Sequence, residues 1–147
     1  MPGARIGFGI GSADMIHDMN MIKSVFSPFN MSTLALAGGT AVVRDTEYFK
    51  KYISEIIDIR EDFEDSLEAM GYNVMRTSTN FAFFKQKAVP AKVLCDELKK
   101  RGILVRHFNM PRVDEYLRVT IGTEEEMKQV LAALSDIEEK YDGKMIA

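Results

Sequence analysis

The chain has 147 residues, 46% of them hydrophobic and 28% charged, and a formal net charge of -3. That is enough apolar material for the core of one domain, or of a domain and part of another, and it excludes a disordered chain. No basic stripe marks a nucleic-acid partner. The single cysteine, Cys95, rules out an internal disulfide and suits a reducing, cytoplasmic setting.

No apolar run is long enough to span a bilayer, and the first residues lack the pattern of a signal peptide. Met1 to Arg5 leads into a predicted strand almost at once, as though the chain entered a fold part-way. That strand, Arg5 to Ile10, contains Gly7 and Gly9 and is followed by Gly11. The glycines are spaced almost like a dinucleotide loop, but the third comes too early and Ser12 takes its place. Glycines inside a strand more often mark the close approach of another backbone. Ser12 is expected to cap a helix with Met15, Met19 and Ile22 on one face. Ser27-Pro28-Phe29-Asn30 ends it.

Ser32 to Val43 reads as a second helix with a small surface at Ala35, Ala37, Gly38, Gly39 and Ala41, which suits close packing. Asp45 is expected to cap the longest helix. Tyr52, Ile56, Ile59, Phe63, Leu67 and Met70 recur along it at steps of three and four, and Gly71 stops it. The composition shifts near Asp45 from small and glycine-rich to charged and amphipathic, which places a domain boundary there. Tyr72 to Met75 reads as a short edge strand. Asn80 to Phe84 is a stronger one, with Phe81 and Phe83 facing one way. Pro90 opens a helix whose apolar face is Val93, Leu94 and Leu98, and Gly102 closes it. Ile103-Leu104-Val105 is expected to be a buried strand ending in Arg106, followed by a loop at Asn109-Met110-Pro111.

In the next strand Leu117, Val119 and Ile121 alternate with Tyr116, Arg118 and Thr120. Thr123 and Glu126 have the spacing of a capping box. The last helix, to about Tyr141, should bury Met127, Val130, Leu131, Leu134 and Ile137. A small sheet covered by helices on one face is the expected α/β (α+β) arrangement.

The candidates for chemistry narrow to arginines. His17 and His107 have no metal-ligand spacing with Cys95, so no metal site is expected. Cys95 beside Val93 and Leu94 reads as a buried, inert thiol. No nucleophile elbow is present. Arg5 precedes the first strand, Arg106 ends another, and Arg118 sits mid-strand opposite the apolar row. Alternation alone favours an arginine on a solvated sheet face. A rigidly held guanidinium is also well suited to grip a carboxylate or phosphate.

Four stretches then fall in a familiar order: Gly3-Ala4-Arg5-Ile6-Gly7-Phe8, Ser78-Thr79-Asn80-Phe81, Gly102-Ile103-Leu104-Val105-Arg106, and Leu117-Arg118-Val119-Thr120-Ile121-Gly122-Thr123. Together they resemble the C-terminal part of class I/II pyridoxal-phosphate (PLP) aminotransferases, closest to histidinol-phosphate aminotransferases. The resemblance implies a cytoplasmic homodimer acting on a small anionic substrate, with pyridoxal 5'-phosphate as cofactor. It implies a remnant of the large cofactor-binding domain over residues 1–44 and the small domain over 45–147. Arg5 would pair with the cofactor phosphate. Arg118 would anchor a substrate carboxylate or, with Arg106, a substrate phosphate. Asn80 receives no catalytic role, and the Ser27-to-Thr33 loop is expected to approach a partner subunit.

The family's Schiff-base lysine belongs upstream of Arg5. Neither Lys23 nor Lys50 stands in that motif, so the resemblance implies a chain without its catalytic residue and inactive alone. Threonine-phosphate decarboxylases and aromatic aminotransferases share these motifs. A stand-alone small-anion binding module is the alternative from another class.

Overall fold

A computed structural model of the chain describes residues 5–27, 31–85 and 88–145, the side chains of 142–145 excepted. The chain divides into two compact units, Met1–Lys51 and Tyr52–Ala147.

The first unit holds α1 (Ala13–Phe26), α2 (Thr33–Arg44) and the start of α3 (Thr46–Ala69). Each helix begins at a polar cap. The Met15 N–H donates to Ser12 Oγ at 3.3 Å, the Ala35 N–H to Ser32 Oγ at 3.1 Å, and the Tyr48 N–H to Asp45 Oδ1 at 3.2 Å. Neither α1 nor α2 buries a residue, and the predicted face of Met15, Met19 and Ile22 stands exposed. The small surface of α2 does accept a neighbour. A Cβ at Gly39 would lie 2.6 Å from Ile6 Cδ1.

The expected strand over Arg5 to Ile10 is not formed. A strand requires a ladder partner for its backbone groups, and the segment has none among the described residues. Phe8 and Ile10 are exposed. Nothing lies within 4 Å of a Cβ placed at Gly7, so the close backbone approach is not found there either. Part of the Ser27-to-Thr33 loop, residues 28–30, lies outside the described residues.

The second unit contains a four-stranded sheet in the order β1-β2-β4-β3. Its strands are β1 (Asn73–Met75), β2 (Phe81–Lys85), β3 (Arg106–His107) and β4 (Leu117–Thr120), and each neighbouring pair is antiparallel. One face is the core. Ala82, Phe84, Leu117 and Val119 pack there with Phe63 and Leu67 of α3, with Leu94 and Leu98 of α4 (Ala91–Lys100), and with Met127, Val130, Leu134 and Ile137 of α5 (Glu124–Met145). Each large side chain buried there contributes about 1.5–3 kcal/mol. The helices therefore cover one face of the sheet, as the alternation of β4 requires.

Two matching turns deliver chain to this sheet. After α3, the Gly71 N–H donates to the Glu68 carbonyl at 2.9 Å and the Tyr72 N–H to the Leu67 carbonyl at 3.0 Å. After α4, the Gly102 N–H donates to the Lys99 carbonyl and the Ile103 N–H to the Leu98 carbonyl, both at 3.0 Å. Both glycines are left-handed, with φ +88° at Gly71 and +80° at Gly102, where a Cβ would be strained.

One element differs from expectation. Ile103-Leu104-Val105 is not a buried strand; the paired residues are Arg106 and His107. Leu104 is exposed, while Ile103 and Val105 pack against the core. The apolar residues complete the helix-ending turn, and the ladder begins only once the chain reaches β4. Cys95 is likewise half-buried rather than buried, with its thiol 3.8 Å from the Val105 carbonyl.

Candidate functional site

The outer face of the sheet carries the charged and aromatic side chains that the core face excludes. Side chains alternate along a strand, so Phe81 and Phe83 of β2 and Arg118 of β4 project away from the core. Register brings them together. Phe83 pairs with Arg118 across β2 and β4, and Arg106 pairs with Arg118 across β3 and β4. Two of the three arginines singled out from sequence thus stand directly opposite one another on one face. Arg5 lies in the first unit, exposed, with a left-handed φ of 57°.

The guanidinia are seated on rings. Arg118 Cζ lies 4.3 Å from the centroid of Phe81 and 5.5 Å from that of Phe108. Arg106 Cζ lies 5.4 Å from the centroid of Phe108. Phe83 stacks on Tyr116 at 4.6 Å and meets Phe108 edge-on at 6.4 Å. Such cation–ring contacts contribute about 0.5–1 kcal/mol each at exposed sites. They occupy the flat side of a guanidinium and leave its N–H edges free to donate.

The β3–β4 connection is pinned on both sides. A carbonyl only accepts, so His107 Nε2 donates to the Asp114 carbonyl, at 2.7 Å. Lys85 Nζ pairs with Glu115 Oε2 at 2.7 Å and lies 5.1 Å from the Tyr116 centroid. The Glu115 partner holds the Lys85 ammonium above its ordinary pKa. Arg112 turns the loop in the left-handed region, at φ 76°.

Three other arginines of this unit are paired with carboxylates, while Arg112, exposed in the loop, has no such pair among the described residues. Arg76 pairs with Glu68 at 2.6 Å and with Asp65, and it approaches Glu64 at 3.7 Å. Arg60 pairs with Glu61 at 3.3 Å and donates to the Thr79 carbonyl at 3.1 Å. Arg101 pairs with Glu97 at 3.2 Å. Arg106 and Arg118, among the described residues, have no carboxylate within 4.0 Å. Two adjacent cations without a carboxylate partner among the described residues make a receptor for an anion.

The aromatic seats were missed by sequence reasoning. The sequence pattern puts Phe81 and Phe83 on one face and gives Tyr116 the parity of Arg118. Joining the two faces needs the β2–β4 register, which a single sequence does not contain.

Residues 1–134 match the family described as Aminotransferase class I and II. The chain belongs to that family. It is 38% identical over 137 residues to histidinol-phosphate aminotransferase 1 of Hydrogenovibrio crunogenus, covering 93% of this chain and 38% of that protein. It therefore spans well under half the length of that relative. Among solved structures it is similar to the histidinol-phosphate aminotransferase of Clostridium acetobutylicum, with a TM-score of 0.81 and 26% identity over 95% of this chain and 42% of that one. It shares its fold with the histidinol-phosphate aminotransferase of Sinorhizobium meliloti solved in complex with pyridoxal-5'-phosphate, at a TM-score of 0.72 and 22% identity over 82% of this chain and 33% of that one.

The family's cofactor is pyridoxal 5'-phosphate. Holding it covalently takes a lysine whose amine is freed of its proton, by burial or by a neighbouring cation. The described lysines are not of that kind. None is buried. The pKa values of Lys85, Lys92 and Lys128 are pushed upward, first by the hydrogen bonds their ammonium groups donate to Glu115, Asp96 and Glu124 respectively. The described residues thus fit an anionic group and do not fit the aldehyde of the cofactor. Among them no group of acidic, histidine or cysteine side chains is placed to hold a metal. No helix of the described residues is long and apolar enough to cross a membrane.

Proposed function

We propose that the chain is the C-terminal part of a histidinol-phosphate aminotransferase-like enzyme. The whole enzyme transfers an amino group between an amino donor and a 2-oxo acid or phosphorylated carbonyl substrate, and works as a cytoplasmic homodimer. The observation that carries this reading is the cross-strand pair Arg106 and Arg118, ring-seated and without a carboxylate partner on the outer face of the sheet.

In this reading residues 45–147 form the small domain and residues 1–44 belong to the large, cofactor-binding domain. Arg118 and Arg106 take the anionic end of the substrate. Arg5 pairs with the cofactor phosphate. When bound, pyridoxal 5'-phosphate supplies the electron sink for the reaction. The part played by this chain is to orient the substrate by its charge, which converts binding energy into correct placement. With no suitable lysine among the described residues, it is inactive alone in this reading.

The test uses the full 147-residue chain. Mixed with pyridoxal 5'-phosphate it should give no lysine–cofactor absorbance band and no transamination, yet it should bind methyl phosphate at Arg118. A stoichiometric band abolished by replacing one lysine would overturn the inactivity. Unchanged methyl phosphate binding in Arg118→Ala would overturn the assignment of the site.

A further inference from the structure

Arg106 and Arg118 carry like charges at directly opposed positions, an arrangement that cross-strand pairing disfavours. What the two share is Phe108, whose ring centroid lies 5.4 Å from Arg106 Cζ and 5.5 Å from Arg118 Cζ. Arg118 has a second seat on Phe81 at 4.3 Å. For Arg106, among the described residues, Phe108 is the sole aromatic seat. The ring itself is fixed, because it follows His107, whose side chain is tied to the Asp114 carbonyl at 2.7 Å, and because it meets Phe83 edge-on at 6.4 Å.

We propose that Phe108 is a positioning residue that couples Arg106 to Arg118 as a two-cation clamp and thereby sets a preference for a phosphate-monoester dianion over a single carboxylate. This rests on the anion reading of the same two arginines given above. The negative face of the ring attracts both cations, offsets their repulsion and leaves their N–H groups free to donate. A dianion with three acceptor oxygens uses both guanidinia, whereas one carboxylate is satisfied by a single bidentate arginine. Without the ring, Arg106 is exposed with nothing aromatic to hold it, and Arg118 keeps its place on Phe81. The site then retains carboxylate binding and loses its advantage for phosphate.

The experiment follows the arginine Nε–Hε signals of the full chain by NMR during titration with methyl phosphate or acetate at matched ionic strength. The pH is held at about 7.5, above the second phosphate pKa of about 6. The wild type should bind methyl phosphate roughly three- to ten-fold more tightly than acetate. Phe108→Leu and Phe108→Met should lose that preference while acetate affinity stays within about two-fold, and Phe108→Tyr, which keeps a ring face, should restore it. Arg106→Gln should remove the same preference, and adding Phe108→Leu to it should remove nothing further, because the two act as one unit. That cycle also decides the matter if one ring variant folds poorly.

Retention of the phosphate preference in Phe108→Leu, or equal loss of both anions, would overturn the role of Phe108. A wild type in which neither arginine responds to either anion would instead overturn the anion reading itself.

Discussion

The two faces of the sheet are built from alternate residues of the same strands and do different work. On one, Ala82, Phe84, Leu117 and Val119 are buried against three helices. On the other, Phe81, Phe83, Arg106 and Arg118 are exposed or half-buried, and the arginines are held by rings instead of acids. The contrast extends to the arginines of the α3 side, Arg60 and Arg76, which are paired with carboxylates. Charge that stabilises the fold is neutralised where it stands, and charge that awaits a ligand is left unneutralised but fixed.

The sharpest way to break this contrast is to damage each face separately. Phe84→Ala on the core face should cost about 3–5 kcal/mol, read by urea denaturation, and should abolish anion binding only through unfolding. A cost below about 1 kcal/mol would mean that this face is not the core. Arg118→Ala on the outer face should leave stability within about 0.5 kcal/mol. It should weaken methyl phosphate binding ten-fold or more, in line with about 1.5–3 kcal/mol for a charge-assisted hydrogen bond. Equal losses in stability and binding would merge the two faces into one structural unit.

A smaller effect is expected where β4 leaves the sheet. Thr123 and Glu126 cap α5 reciprocally: the Thr123 N–H donates to Glu126 Oε2 at 2.8 Å and the Glu126 N–H to Thr123 Oγ1 at 3.3 Å. Thr123→Ala should cost about 1 kcal/mol of stability with no change in anion affinity. A change in affinity would tie the site to the cap.

The smallest effect concerns the acid-paired arginines. Burial pushes the Glu64 carboxyl above its ordinary value, against the opposing pull of Arg60 and then Arg76. The native state therefore holds that proton more tightly than the unfolded chain. The resulting stability is fully present below the ordinary glutamate pKa and is lost as pH rises through the raised one. Glu64→Gln should flatten the dependence of Tm on pH in that window. An unchanged slope would mean that Arg60 and Arg76 cancel the effect of burial.

Much of this fold was legible because local chemistry and burial agree. Ser12, Asp45 and Thr123 cap the helices they were expected to cap, and Gly71 and Gly102 end α3 and α4 in the left-handed conformation. Period-two alternation placed Leu117, Val119 and Ile121 in the core. What failed was pairing. Arg5 to Ile10 alternates like a strand yet has no ladder partner among the described residues, and Ile103 to Val105 is apolar without being paired. Alternation reports two faces; a strand also needs a neighbour, and neighbours are long-range. The same limit hid the site. Arg118 stood out as a misplaced charge, but its seats on Phe81 and Phe108 depend on register across β2, β3 and β4.

The most direct measurement is the arginine Nε–Hε spectrum of the intact chain titrated with methyl phosphate, in which the acid-paired arginines serve as internal controls. Arg106 and Arg118 should shift together along one saturating curve while Arg60 and Arg76 stay still. Equal movement of all four, or movement of Arg60 and Arg76 alone, would contradict a ligand site on the outer face of the sheet.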